Sequence, residues 1–478
     1  MNDFESLREE SDGRVMKQRT PIPKFQVAIV IAIQFAEPIA GLVIYPFVVQ
    51  AVRDTGITGG EETKTGLYAG LLESTFFLAE ASTVFFWGRL SDVHGRRPIL
   101  LAGPLGLTIS MLGFGLSKTF WALFFFRCIQ GVCNGNIGIL LCRTPKPLLN
   151  AGHLQRGIAD PTNIADIFSI MPLVWSLATT LGPLMGALAN PATRWPSTFG
   201  KIAILRDHPY LLPCAAAAMT AFLAFAVAFV GLKETLPSKV ARRHKKGNLP
   251  AESDPLLPPA PLDIPNAPPP VRDLFVRPIF IALANHGLLA FCHMCNEALL
   301  PLFFATPISL GGLGLEPFSI GVIMGMAGFC NALVQLIFGG RLIRWYGPRR
   351  MFTVGFCALV VQFALYPLVG LLARRAGRVD TAVGAALAAL LSCTAPMYFA
   401  YACTMIFIMD AAPTPESLAS VNGLAQMAGT VLRSLAPSFA STLFSLSAEH
   451  HIAGGNMVYL VLIAATLGAV RCSLLLPR

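Results

Sequence analysis

The chain is short of charge. Only 13% of its 478 residues are Asp, Glu, Lys or Arg, about half the share of an ordinary soluble protein. Hydrophobic residues make up 54%, and the mean hydropathy is +0.62. Those figures exclude a soluble enzyme, and they exclude disorder for all but tails and linkers. No phosphate-binding G-x-x-x-x-G-K-[ST] loop is present, so ATP-driven work is not expected. Haem, metalloprotease and catalytic-triad patterns are missing too. No Asn-x-Ser/Thr sequon occurs, so no glycosylated outer loop is implied. The eleven cysteines follow neither disulfide nor zinc-finger spacing. Cys128, Cys133, Cys330, Cys357 and Cys403 lie in apolar runs, where they act as small hydrophobes. The first 24 residues are polar and charged, so no cleavable signal peptide is expected. No cofactor is predicted.

What is abundant is apolar length. A membrane span takes ~20 apolar residues, and the sequence divides into twelve such segments. They are placed at 25–49, 65–87, 98–116, 119–141, 166–190, 210–232, 278–305, 317–338, 350–373, 382–409, 416–446 and 454–476. Residues 233–277 carry Arg242, Arg243, Lys245 and Lys246, then a proline-rich run from Pro250 to Pro270. Such a stretch builds no core and reads as a linker. The predicted organisation is a cytoplasmic tail (1–24), a six-helix half (25–232), the linker (233–277) and a second half (278–478).

The net charge of +10 would point to nucleic acid in a soluble protein. In a membrane protein it marks cytoplasmic loops instead. With the N-terminus inside, the inner loops and tails hold more than twice the Lys and Arg of the outer loops. Both termini are therefore placed in the cytoplasm, and no nucleic-acid partner is expected. Arg374, Arg375 and Arg378 run against this bias, as does the loop near Asp410, which has no basic residue.

An internal repeat supports two halves. Residues 88–97 read GRLSDVHGRR, and residues 340–349 read GRLIRWYGPR, with five identities in register. Gly182-Pro183 has a weaker echo in Ala436-Pro437. Two like six-helix halves with a site between them are a transporter architecture. The expected fold class is an all-α polytopic membrane protein, with twelve transmembrane helices in two pseudo-symmetric six-helix halves.

Gly88, Arg89, Asp92, Gly95, Arg96 and Arg97 resemble the signature loop of the major facilitator superfamily. Arg127-Cys-Ile-Gln-Gly131 resembles a fourth-span motif of its proton-coupled members. Leu181-Gly182-Pro183-Leu-Met-Gly186 resembles the fifth-span antiporter motif. The segments from Trp87 to Arg97 and from Ser169 to Gly186 are similar to those of zinc-induced-facilitator-like proteins and their fungal relatives. The resemblance implies a loop that latches the two halves in one state, an antiporter-type hinge at Gly182, Pro183 and Gly186, and proton-coupled export. Arg344 stands where the second-half loop would carry the aspartate, so a weaker latch is expected there. The N-terminal cysteine motif and the His-rich central loop of the plant members are missing, which argues against zinc as cargo. Residues 142–158 depart from the short loop of the family and read as an insertion or a mistaken exon boundary. Glu252-Ser-Asp-Pro-Leu256-Leu257 resembles an acidic dileucine sorting signal.

Charges inside spans carry the most information, because each costs ~3 kcal/mol or more at the bilayer centre unless it faces a cavity or a partner. Glu37 precedes Pro38 in the first span, Glu73 and Glu80 share a face of the second, and Arg127 is in the fourth. Glu37 is the expected protonatable group, with Arg127 tuning it and Glu80 as second carrier. The alternative is a static buried ion pair. Glu73 is placed towards the outer end, in contact with solvent. In the seventh span His286, His293 and Glu297 form one stripe flanked by Cys292 and Cys295. The stripe reads as a cavity wall, with Zn²⁺ coordination as the alternative. Arg433 is a candidate partner for Glu297 or for an anionic substrate. Asn134, Asn331, Gln335, Tyr398 and Tyr401 complete the candidate pocket.

The sequence therefore predicts a monomeric secondary transporter in the plasma or vacuolar membrane. Its expected partners are the lipid bilayer, protons and a small organic substrate. A facilitator without protons, a metal-chelate or sugar transporter, and a non-transporting membrane sensor are the alternatives. Lys233-Glu-Thr-Leu-Pro237 is unlike the Pro-Glu-Ser-Pro-Arg type of sugar porters.

Overall fold

A computed structural model describes residues 24–134, 164–232, 276–413 and 417–476. The linker between 233 and 275 and the segment 142–158 lie outside the described residues. Every described element is helical. In order, α1 is Lys24–Leu42, α2 Val48–Asp54, α3 Glu62–His94, α4 Arg96–Leu116, α5 Phe120–Asn134, α6 Ile164–Gly186 and α7 Leu211–Gly231. The second half holds α8 Arg277–Ala305, α9 Pro317–Tyr346, α10 Pro348–Ala376, α11 Thr381–Ser392, α12 Thr394–Ala411, α13 Leu418–Glu449 and α14 Met457–Ser473. Short helical turns at Pro191–Arg194 and Ala203–Asp207 connect α6 to α7.

Eight spans among the described residues are long and apolar enough to cross a membrane on their own length and composition. Each of the other four expected spans also has a helix, in α5, α6, α13 and α14. Helix α14 is apolar but only 17 residues long. Helix α13 is long but carries many serines, which it uses against α3. Two expected spans are not continuous. The first breaks after Leu42 into turns over 43–47, because Pro46 has no N–H to continue the ladder. The tenth is divided at Cys393, two residues before Ala395-Pro396.

The repeat is visible in backbone geometry. Gly95 joins α3 to α4 at φ 101° and ψ 156°, and Gly347 joins α9 to α10 at φ 79° and ψ 153°. A Cβ makes that region costly, so both corners need glycine. Two residues on, Arg97 donates Nη2 to the carbonyl of Phe229 at 2.7 Å, and Arg349 donates Nη2 to Leu474 at 2.5 Å. The third helix of each half is thereby tied to the last helix of the same half.

The halves meet along two helix pairs that the repeat exchanges. Helix α3 lies along α13, and α6 lies along α9. Both contacts are close at the end opposite Gly95 and Gly347, here called the far end. A Cβ on Gly66 would sit 2.7 Å from Ser445 Oγ, and one on Gly321 would collide with the Pro183 carbonyl. Ser438 N donates to Ser74 Oγ at 2.9 Å, and Arg53 Nη2 to the Ala305 carbonyl at 2.9 Å. A recess of about 500 Å³ opens beside Arg53, between Gln50 and Glu316.

Candidate functional site

Polar side chains that the apolar helices hide from lipid converge between the halves. Helix α5 delivers Asn134, which is buried, and its Nδ2 donates to Glu37 Oε1 on α1 at 2.9 Å. The same amide also hydrogen-bonds the Glu80 side chain on α3. Glu37 and Glu80 act on each other through space, and Arg433 of α13 acts on both. Four helices, three from the first half and one from the second, thus supply one charged cluster.

Arg127 does not belong to that cluster, contrary to the expectation that it tunes Glu37. It is 1% exposed. Its Nη1 donates to Gln130 Oε1 at 2.7 Å and to the Ala40 carbonyl at 3.5 Å, and Nη2 to the Gly41 carbonyl at 3.4 Å. Its guanidinium lies 4.4 Å from the Phe76 ring centroid. The spacing of Arg127 and Gly131 explains this: Gly131 lets α5 touch the Phe76 carbonyl, where any Cβ would collide, and that contact seats the ring under the cation. The acid facing Arg127 is Glu73, one turn nearer the far end than Phe76.

Glu73 also corrects its predicted placement. It is 2% exposed, and Oε2 has no hydrogen-bond partner. Helices α5 and α13 both pack on α3 in this stretch, with Gly131 against the Phe76 carbonyl and Gly70 against Ser441, so this part of the span is covered. The sequence signal was the seven-residue spacing to Glu80, which places both on one face.

The stripe on α8 forms a second cluster. His293 Nε2 lies 3.3 Å from Glu297 Oε1, and His293 Nδ1 lies 3.2 Å from the Tyr401 hydroxyl. Tyr398 sits edge-on to His293, with ring centroids 6.0 Å apart. Tyr401 also hydrogen-bonds Arg433, so the two clusters join through one hydroxyl. The candidate Arg433–Glu297 pairing is not formed among the described residues: Glu297 is next to His293, while Arg433 acts through space on Glu37 and Glu80. His286 is 1% exposed, with neither ring nitrogen hydrogen-bonded. It rests against Tyr401 and against Gly429, whose added Cβ would sit 2.7 Å from Nε2. Cys292 and Cys295 are buried, and Cys295 Sγ points to the Ala436 carbonyl at 3.6 Å. Among the described residues no group of three His, Cys, Asp or Glu side chains could hold a metal ion.

The remaining candidates connect helices rather than standing free. Asn331 Nδ2 donates to Thr394 Oγ1 at 2.5 Å within the second half. Gln335 Oε1 accepts from Ser176 at 2.8 Å across the halves. Tyr398 hydrogen-bonds Thr179, also across the halves. Tyr45 is a further wall residue, unmarked in the sequence because it lies in the break after α1; its hydroxyl faces Met294 Sδ at 3.9 Å. Gly182 and Gly186 allow α6 to press on Leu42 and Val43, and the Pro183 carbonyl meets Gly321 of α9.

Around the Gly95 corner, Arg89 near the end of α3 lies over the Phe85 ring at 4.6 Å, and at the start of α4 Arg96 is buried and Arg97 holds Phe229. The side-chain surroundings of Gly88 and Asp92 lie outside the described residues.

Comparison with known proteins bears on the family. Residues 30–437 match the sequence profile of the Major Facilitator Superfamily. The chain is 29% identical to the major facilitator superfamily multidrug transporter mfsB of Aspergillus fumigatus, over 89% of this chain and 79% of that protein. It is 26% identical to the protein ZINC INDUCED FACILITATOR-LIKE 1 of Arabidopsis thaliana, over 92% of this chain and 89% of that one. The crystal structure of a D-xylose-proton symporter superposes with a TM-score of 0.65 at 14% identity, covering 96% of this chain and 98% of that one. With a profile match that spans most of the chain and a shared fold, the protein belongs to the Major Facilitator Superfamily and is an integral membrane transporter, not an enzyme.

Proposed function

We propose that the protein is a proton-coupled exporter of small organic molecules that works by alternating access. The observation that carries this reading is the cluster of Glu37, Glu80, Asn134 and Arg433, which is shared between the halves. Two carboxylates so close cannot both stay charged cheaply without a cation beside them. Rocking of the halves moves Arg433 relative to Glu37 and Glu80 and so changes how tightly a proton is held. Coupling follows only because protonation then favours one state over the other.

Export is favoured by the Gly182-Pro183-x-x-Gly186 pattern and by relatives named multidrug transporter and efflux pump. By the positive-inside bias, the ends at Gly95 and Gly347 face the cytoplasm, together with both termini. The far-end contacts then close the outer face. Gly88 through Arg97 serve as the cytoplasmic gate, and Gly182, Pro183 and Gly186 as the hinge. The protein acts as a monomer in the plasma or vacuolar membrane.

Proteoliposomes with an imposed pH gradient test this reading. Wild-type protein is expected to move substrate against its gradient, and Glu37→Gln with Glu80→Gln is expected to lose gradient-driven flux. Intact gradient-driven flux in the double variant contradicts the assignment.

A further inference from the structure

Two arginines of the first half reach across to the second at the far end. Arg53 lies in the last turn of α2. Its Nε donates to Glu62 Oε2 at 2.8 Å within its own half, and its Nη2 to the Ala305 carbonyl at 2.9 Å in the other. Ala305 is the last residue of α8, whose final turn carries no basic side chain. The last carbonyls of a helix have no donor inside it and favour a cation, so the first half supplies the cap that α8 lacks. In the register of the repeat Arg53 corresponds to Ala305 itself, so no matching arginine returns the contact from the second half.

Arg194 makes the second crossing. Its guanidinium lies 4.3 Å from the ring centroid of Phe318, the second residue of α9, and Trp195 meets the same ring edge-on at 6.1 Å. Arg194 Nη1 is also 3.9 Å from Glu316 Oε2, but these side chains are 45% and 77% exposed. An ion pair so open to water holds little, so the ring carries the contact.

Each half presents its contacts on one stiff platform. In the first, Asn190 Nδ2 donates to Gln50 Oε1 at 3.2 Å. That bond joins α2, one turn before Arg53, to the turn Pro191–Arg194. In the second, the chain between α8 and α9 folds back on the end of α8. Leu313 N donates to the Phe303 carbonyl at 3.1 Å, Gly314 N to Thr306 at 2.8 Å and Leu315 N to Phe304 at 2.8 Å. The recess of about 500 Å³ opens between the platforms, with Arg53 and Glu316 among its walls.

We propose that Arg53 and Arg194 are the two latches of the outer gate, and that together they set the share of molecules whose outer face is shut. This rests on the reading of the far end as the outer face of an alternating-access exporter, and names the contacts that hold it. The latches are built to reopen. Arg53 keeps Glu62 when Ala305 withdraws, so its charge is never left without a partner. Arg194 is exposed enough for water to replace the ring. Because the platforms are stiff, neither contact can part without straining the other.

The test uses purified full-length protein in lipid nanodiscs, in a background without native cysteines, with spin labels at Ile204 and Val379. Both positions are exposed, Ile204 in the turn between α6 and α7 and Val379 just beyond α10. Electron–electron resonance at one fixed pH reads the ratio of molecules with far ends apart to those with far ends together. Arg53→Gln and Arg194→Gln are each expected to raise that ratio at least threefold. The double variant is expected to multiply the two changes, since the contacts share no partner. Phe318→Leu is expected to match Arg194→Gln, and Glu316→Gln to stay within twofold of the parent, with monodisperse elution checking the fold. Two populations whose ratio ignores both arginine substitutions overturn the latch and leave alternating access standing. A single population in every form overturns both. A ratio that follows the arginines, in a protein whose Glu37→Gln with Glu80→Gln variant keeps gradient-driven flux, supports the latch while proton coupling at those acids falls.

Discussion

Asn134 donates its amide to Oε1 of Glu37 at 2.9 Å, although the two residues are 97 positions apart. The bond joins the first and fourth spans at the level where Arg433 enters from the other half. Removing it separates a structural role from a coupling role. Asn134→Leu leaves a buried carboxylate without its donor, which costs about 1–3 kcal/mol. The expected result is a matching loss of stability in detergent denaturation, together with a changed pH dependence of transport. A stability loss with an unchanged pH profile would assign Asn134 to packing alone.

The corner glycines carry a separate prediction. Gly95 and Gly347 hold φ values of 101° and 79°. Gly95→Ala and Gly347→Ala are each expected to destabilise by about 1–3 kcal/mol, the range for a non-glycine residue forced into such a conformation. Thermal unfolding of the two variants checks this. Equal losses are expected, because the repeat gives the two corners the same geometry.

At the far end, Gly66 and Ser445 are close enough to be bridged. A Cβ at Gly66 lies 2.7 Å from Ser445 Oγ, which is within disulfide reach. In a background without native cysteines, Gly66→Cys with Ser445→Cys is expected to cross-link on mild oxidation and to lose at least nine-tenths of its transport. Reduction is expected to restore it. Full transport in the cross-linked protein would contradict rocking of the halves at this end.

Tyr401 links the two charged clusters through its hydroxyl. Tyr401→Phe removes that link and keeps the ring against His286 and His293. Transport is expected to fall about fivefold to tenfold with folding intact, about 1–1.4 kcal/mol in the usual conversion. Unchanged transport would show that the clusters act independently.

Much of the architecture was legible in the sequence because the bilayer imposes it. Low charge and apolar segment length announced the helices, and the GRL…G…R repeat announced the halves. The loop arginines were found the same way, since Arg97 and Arg349 share a register and do share a role. Partner choice was not legible. Glu37 and Arg127 are an acid and a cation of the first half, yet the helix rotations set by Gly131 turn Arg127 towards Glu73 and leave Glu37 to Arg433. Nothing local in the sequence encodes those rotations, because they depend on which glycine meets which neighbouring carbonyl. Glu297 was likewise assigned to Arg433 by charge, whereas His293, one helical turn away, reaches it first.

The central claim is that protons acting on Glu37 and Glu80 shift the balance between the two access states. Val93 and Trp345 are exposed on the Gly95–Gly347 ends of the two halves, so spin labels there report the separation of those ends. The measurement is the distance distribution between the labels by electron–electron resonance from pH 5 to pH 8, without substrate. The account predicts two populations whose ratio changes with pH in the wild-type background and stays fixed in Glu37→Gln with Glu80→Gln. A ratio that ignores pH in the wild type, or changes equally in the double variant, would contradict it.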